Sequence, residues 1–317
     1  MVIVNRVEKV INNINRYSIN SRKSKVSLSS FSKPYRLGNS FRDFIDSLPQ
    51  MLSADALRDA ASSIIEARKN GKPVILGMGA HSIKLGLSPI IIDLIVSGII
   101  SAVAANGACI VHDFELAYAG MTSEDVKEAI CDGSFGMALE TGTLLNAAIS
   151  EGVKRGLGIG ASIGKFIHQN QDMKYREMSI FGTCYTHKIP ATVHVAIGTD
   201  IIHMHPEADG ASIGEGSLRD FHHLTSIISN LDGGVFINLG SAVIIPEVFL
   251  KALSLARNLE HKAKNFTAIN MDFIKQYRAS ENVLHRPTGK SGKAINLIGH
   301  HEIMLPLLAA LIIEGKG

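Results

Sequence analysis

The residues of this chain that could do chemistry collect just after apolar runs. Val74-Ile75-Leu76 leads into Gly77-Met78-Gly79-Ala80-His81-Ser82, and residues 99–105 lead into Asn106-Gly107-Ala108, with His112, Asp113 and Glu115 close behind. A third run, 234–239, ends in Gly240-Ser241-Ala242, and Glu247 follows. Glycine at such a turn lets backbone approach a ligand closely, and carboxylates beyond it can hold a cation by charge-assisted hydrogen bonds. Asp113, Glu115, Glu215, Asp220, Glu247 and Glu281 all fall near expected strand ends. Gathered in a cleft, they would suit a small amine substrate such as a polyamine or a basic amino acid. The turn at 77–82 lacks the third glycine of the dinucleotide fingerprint, so by itself it does not specify NAD. Cys109 is expected to be buried rather than nucleophilic.

Histidines offer a second chemistry. His194, His203 and His205 lie close in sequence, with His203 and His205 on one face if that stretch is extended, and His300-His301-Glu302 adds more. A metal-dependent hydrolase could be built from the first three around a lytic water. No His-Glu-x-x-His pattern exists, so no metal ligand set is assigned, and His301 is expected to hydrogen-bond in a polar cleft on the substrate side.

The elements that must position these groups alternate. Short β-branched runs at 74–76, 99–105, 191–197, 234–239, 265–270 and 294–298 read as buried strands, with 201–204 extending toward a loop at 205–215. Helical stretches at 54–69 (capped by Ser53), 83–96, 142–154, 217–229, 246–258 and 302–314 separate them, a helix start is read at 122–125, and 275–294 reads as loop. The glycines at 156, 158, 160 and 164 follow no convincing strand and are expected to serve a loop and close helix packing. Strand–helix–strand units with right-handed crossovers give an α/β fold. The expected architecture is a mostly parallel, doubly wound, Rossmann-like sheet with helices on both faces. Ligands of such sheets lie beyond the carboxyl ends of the strands.

Composition sets the boundaries. The chain has 317 residues, 46% of them hydrophobic, enough for one large core. No apolar run reaches about 18 residues without a charge or proline, so no membrane span is expected. The net charge of +3 is uneven: residues 1–40 hold eight Lys/Arg and one acid, and the remainder is net acidic. Residues 1–45 are therefore read as a basic arm, with Ile3, Val7, Val10 and Ile14 at helical spacing, and residues 46–317 as a single α/β catalytic domain. A Ser-, Arg- and Lys-rich stretch cannot order itself by burial, so the arm is read as surface or linker, with a transit peptide or a nucleic-acid contact as alternatives; nucleic acid is not expected as the main partner. Three cysteines without paired spacing suit a reducing, cytoplasmic setting.

Taken in order, these motifs resemble the deoxyhypusine synthase family. Residues 76–82 are similar to its first strand and nucleotide loop, and residues 105–108 with 112–116 to its glycine turn and following acids. Glu215-Gly216-Ser217-Leu218-Arg219-Asp220 resembles its Asp-Gly-Ser-Leu-Gly-Asp segment, residues 238–243 its glycine-rich strand end, and residues 305–310 its closing helix. The stretch from Asn106 to Glu115 also resembles the NAD-binding part of ornithine cyclodeaminases. The resemblance implies NAD as cofactor, hydride abstraction beside an amine of spermidine or a related molecule, aminoalkyl transfer through an imine on a lysine, and a homotetramer with sites at subunit interfaces. It implies that Gly77, Gly79, His81, Asn106, Gly107, Gly240 and Ser241 face the dinucleotide. Glu215 and Asp220 would hold the amine with Glu115, helped by Glu247 and His301, while Asp113 and Glu115 stand at the reacting centre. The family's Trp-Gly-Lys segment is missing, since the chain has no tryptophan. Lys290 or Lys293 would have to stand in, with Lys293 the candidate. The expectation is thus a deoxyhypusine-synthase-like, NAD-dependent transferase acting on a polyamine or basic amino acid, but not a true deoxyhypusine synthase. The alternatives are a deaminase or cyclodeaminase of a basic amino acid, the metal-dependent hydrolase, and a non-catalytic binding member of the fold.

Overall fold

A computed structural model of the chain describes residue 11 and residues 14–315. The chain divides between Met51 and Leu52 into two compact units. In the first, Phe41–Ser47 forms helix α1, opened by a capping box between Ser40 and Asp43. Most of the expected N-terminal helix, including Ile3, Val7 and Val10, lies outside the described residues, and Ile14 is not helical.

The second unit is built on one sheet of six strands, all parallel: β1 (Val74–Met78), β2 (Ala102–Asn106), β3 (Ala191–His194), β4 (Val235–Leu239), β5 (Thr267–Asp272) and β6 (Lys293–Ile298). Their order is β3-β2-β1-β4-β5-β6. That is the doubly wound dinucleotide-binding order, in which the winding reverses between β1 and β4. Near-continuous apolar strands fit this place because both faces are covered. Alternate residues serve the two faces. Ile75, Ala102, Ala104, Phe236 and Ala268 pack into one core, while Leu76, Val103, Ile237 and Ile269 pack into the other.

The helices follow from the sequence with local differences. Helices α2 (Leu52–Lys69), α5 (Leu139–Lys154), α9 (Ile244–Asn258) and α10 (His301–Glu314) fall close to where periodicity puts them. Ser53 is not a cap, because the helix already begins at Leu52. The single helix expected over 83–96 is broken: a helical turn at His81–Lys84 ends near Gly86, whose φ is +75°, and α3 (Ser88–Val96) restarts with Pro89 in its first turn. The stretch after β2 becomes α4 (Gly107–Ala119), ended by Gly120 in the left-handed region. Only the short turn Val126–Ala129 forms where a helix start was read at 122–125.

Close packing explains the glycine run that no dinucleotide site uses. Helix α6 (Ile159–Gln169) lies so near β3 that a Cβ on Gly160 would sit 2.1 Å from the Ala191 carbonyl oxygen. The stretch before β3 is helix α7 (Ile180–Thr186). Residues 201–204 form a 3-10 turn rather than extended chain, and α8 (Gly210–Ile228) begins inside the expected loop. The expected loop at 275–294 is instead a run of helical turns from Tyr277 to Thr288, held by Arg257 donating to the carbonyls of Ala263 and Pro287. No helix among the described residues is long and apolar enough to cross a membrane.

Candidate functional site

Because all six strands are parallel, their carboxyl ends share one edge, and the turns that leave them meet there. At the reversal, the turns after β1 and β4 touch: a Cβ on Gly79 would lie 2.5 Å from the Gly240 carbonyl oxygen. Gly240 itself has a φ of +62° and carries the His301 ring directly above it. His81, Phe273 and His301, which follow β1, β5 and β6, form an aromatic cluster with centroids 5.5–6.1 Å apart. The Nε2 of His301 lies 3.3 Å from the Met271 carbonyl oxygen, so it carries the proton, and Nδ1 is a buried lone pair without a partner among the described residues. Ser241 is buried, and its hydroxyl receives the Ile245 amide at the start of α9.

Beside this crevice, beyond β1, β2 and β3, a cleft of about 190 Å³ opens between α4, the 121–138 segment and the loop after β3. A second hollow of about 660 Å³ shares Glu115, Ser123 and Glu124 with it. The first is lined by Glu115, Glu124 and Asp200, with Lys84 and His112 facing them. The second adds Glu140. Helical spacing puts Ala108, Val111, His112 and Glu115 on the open side of α4.

Glu115 is fixed on two sides. Thr122 donates to its Oε2 at 2.5 Å and Thr141 to its Oε1 at 3.1 Å. Thr122 also lies 2.7 Å from His112 Nδ1. Burial, with Lys84 nearby, pushes the His112 imidazole down to about 4, so it is neutral at pH 7. Asp200 sits over Gly107, where a Cβ would lie 2.0 Å from its Oδ2. Its carboxyl is pushed up to about 6 by burial, against a hydrogen bond from Thr199, and among the described residues Oδ2 has no hydrogen-bond partner. His203 Nδ1 accepts the amides of Gly198 and Asp200, so its proton is on Nε2, another buried orphan, 3.9 Å from that Oδ2. An acceptor and a donor at this separation can be bridged by one hydroxyl group.

The edge therefore brings together Gly79, His81, Asn106, Gly107, Glu115, Gly240, Ser241 and His301 of the residues expected from sequence. Asn106 ends β2, where its Oδ1 receives the Cys109 thiol. The structure puts the others to different uses. Gly77 lies inside β1, where a Cβ would meet Ile245 and Phe236, so it serves packing. Asp113 is fully buried under the N-terminus of α7, accepting from the Ser179 hydroxyl and the amides of Ile180 and Phe181. Asp220 clips α8 to α6 and β3 by accepting the amides of Gly160 and Val193. Burial pushes its carboxyl up to about 7, against those hydrogen bonds. Glu215 is an exposed partner of Arg219, and Glu247 is held by Lys251, Arg278 and Asn282. Lys293 begins β6, at the amino edge of the sheet, and pairs with Asp59 at 2.9 Å. A parallel strand's first residue cannot reach a site beyond its last.

The histidine alternative does not assemble either. His194 Nε2 is within 3.0 Å of the Thr192 hydroxyl, His203 faces Asp200, and His205 Nε2 lies 2.8 Å from the Gly136 carbonyl oxygen. Among the described residues no group of three His, Cys, Asp or Glu side chains is placed to hold a metal ion. Lys84, Thr122, Thr141 and Asp200 were not singled out from sequence, and His203 was considered only as a metal ligand. Asp200 carries the signal that could have found it, a carboxylate a few residues beyond β3.

No protein-family model matches the chain, and no curated protein sequence matches it. Solved structures do. A putative deoxyhypusine synthase from Entamoeba histolytica matches with a TM-score of 0.53 and 12% identity over 89% of this chain and 96% of its own. ArgZ, an arginine dihydrolase from the ornithine–ammonia cycle in cyanobacteria, matches with a TM-score of 0.52 and 14% identity over 83% of this chain and 33% of its own. AgrE, solved as a ternary complex with ornithine and NAD+, matches with a TM-score of 0.50 and 13% identity over 81% of this chain and 32% of its own. The chain thus spans about a third of the length of ArgZ and AgrE. The fold is that of the deoxyhypusine-synthase-like proteins, as the motifs at 76–82, 105–116 and 238–243 led us to expect.

Proposed function

We propose that this chain is an NAD-dependent enzyme that oxidises a small basic amino acid at the carbon bearing its amine. The observation that carries the reading is the carboxylate-lined cleft beyond β1, β2 and β3, beside the β1–β4 reversal. Three carboxylates, Glu115, Glu124 and Asp200, outnumber the single cation Lys84, so the cleft favours a cationic ligand. Lys84 offers a partner to a carboxylate on that ligand, which favours an amino acid over a polyamine.

The residues present fit a dinucleotide. The touching Gly79 and Gly240 turns keep side chains out of the crevice, and the orphaned Asp200 Oδ2 is an acceptor suited to a ligand hydroxyl. His301, His81 and Phe273 offer an aromatic cluster, tilted or edge-on to one another, with one buried nitrogen lone pair on His301. NAD, when bound, supplies a hydride acceptor. The protein's part is to hold the substrate ammonium against Glu115 and Glu124, to turn its amine-bearing carbon toward the crevice, and to keep the site's neutral imidazole free to accept a hydrogen bond.

The placement of Lys293 at the far edge favours deamination over aminoalkyl transfer, because the lysine expected to carry the imine is out of reach. AgrE, whose structure contains ornithine and NAD+, is consistent with a basic amino acid as substrate in this fold. The homotetramer with interface sites remains part of the proposal, to be read by sedimentation. The test of the function is absorbance at the reduced-nicotinamide band with NAD and, in turn, L-ornithine, L-arginine, L-lysine and spermidine. Reduction by one of the amino acids is expected. No reduction with any of the four removes the oxidative reading.

A further inference from the structure

We propose that His112 is a ligand-contacting residue of the cleft, its Nε2 lone pair turned toward an N–H of the bound substrate by a Glu115–Thr122–His112 chain. The inference rests on the cleft being the substrate site and does not depend on the cofactor.

The chain of hydrogen bonds has only one sense. Glu115 is acceptor-only when ionised, so at 2.5 Å the Thr122 hydroxyl proton points to its Oε2. A hydroxyl has one proton, so toward His112 the Thr122 oxygen can only accept. The 2.7 Å contact is therefore Nδ1–H donating to Thr122, and Nε2 is left as a bare lone pair. Thr141 occupies the other oxygen of Glu115, which locks the carboxylate and hence the ring. Nε2 has no partner among the described residues, and it is not one of the buried orphans, so it meets the open cleft that His112 lines.

The surroundings keep this lone pair available. Lys84 faces the ring from the turn after β1, Glu115 from its own helix, Glu124 from the 121–138 segment, and Asp200 from the loop after β3. Burial and Lys84 together hold the ring neutral well below pH 7. A cleft that already gathers three carboxylates gains direction, and no further negative charge, from a neutral acceptor. Such a group reads where the substrate's N–H points, while the carboxylates read its charge. Glu115 then acts partly through His112, as a positioning residue.

The test uses the full chain with 15N-labelled histidine, followed by NMR at pH 7. A protonated Nδ1 and a bare Nε2 are expected at His112, and Thr122→Val should convert the ring to a mixture of tautomers. L-ornithine, L-arginine and spermidine are then titrated, each with and without NAD. At least one should move the Nε2 resonance. For that probe, His112→Asn, which keeps a group near Nδ1 but none at Nε2, should weaken binding about 5–10-fold. His112→Gln, which places an amide oxygen near Nε2, should restore it to within about twofold. An Nε2–H tautomer, an Nε2 signal unmoved by every probe, or His112→Asn binding as tightly as the unsubstituted protein overturns the proposal. NAD binding is read separately, so its failure would remove the cofactor while leaving the tautomer and affinity results standing.

Discussion

Asp220 separates two accounts of the same residue. As a substrate carboxylate it would be dispensable for folding; as a clip between α8, α6 and β3 it would not. One oxygen, Oδ2, accepts both the Gly160 and Val193 amides, at 2.9 and 2.8 Å, and the residue is 2% exposed. Asp220→Ala leaves two buried amides unpaired, at about 1–3 kcal/mol each, so a loss of about 4 kcal/mol is expected. At about 2–3 °C per kcal/mol for a unit of this size, Tm should fall by roughly 10 °C. Asp220→Asn keeps an acceptor oxygen and removes a charge that burial opposes, so it should lie within about 1 kcal/mol of the native chain near pH 4 and be the more stable of the two at pH 7.

The pH dependence has a definite sign. Burial raises the folded carboxyl to about 7 from its ordinary 3.8, so the folded state holds the proton longer than the unfolded one. Its contribution is fully present below about pH 4 and is lost as pH rises through 7, an effect on the order of 4 kcal/mol. Measured against Asp220→Asn, the native chain should lose relative stability across that window. Thermal melts of the three proteins from pH 4 to 8 check this. An Asp220→Ala protein that melts with the native chain but no longer binds its amine would refute the structural role and restore the residue to the site.

Other outcomes follow from the same geometry. Gly107→Ala puts a methyl 2.0 Å from the Asp200 carboxylate, so it should cost about 1–3 kcal/mol in a melt and weaken ligand binding together, because it displaces a wall of the cleft. Lys293→Ala should leave amine oxidation unchanged and alter stability by less than about 1 kcal/mol, since its ion pair with Asp59 is half-exposed; lost turnover would return the lysine to the mechanism. Thiol labelling of the native protein should modify exposed Cys131 rapidly and spare Cys109 and Cys184, whose thiols burial pushes far up; quantified by mass spectrometry, all three should react after unfolding.

The sheet was legible because its signal is local. Short β-branched runs closed by Gly79, Gly107 and Gly240 can hardly be anything but buried parallel strands, and their turns had to share one edge. The helical turns at 277–288 were not legible, because their amphipathic signal is short and Arg257 holds them from another helix. The acids divided on tertiary contacts. Asp113 and Glu115 sit two residues apart on one helix, yet one faces the N-terminus of α7 and the other the cleft. Only the partners Ser179 and Thr141, both distant in sequence, distinguish them. Lys293 was legible in principle, since it opens a strand rather than closing one. Asp200 looked like a loop residue until its orphaned oxygen was placed above Gly107.

The central claim is that the edge at β1 and β4 holds a dinucleotide beside an amine-binding cleft. Calorimetric titration of the purified chain with NAD, alone and with L-ornithine or L-arginine present, tests it most directly. One NAD per chain, bound by the native protein and weakened when Gly240→Val pushes into the His301 ring, is the predicted result. No heat of binding under any of these conditions, from protein shown by its melt to be folded, would contradict it.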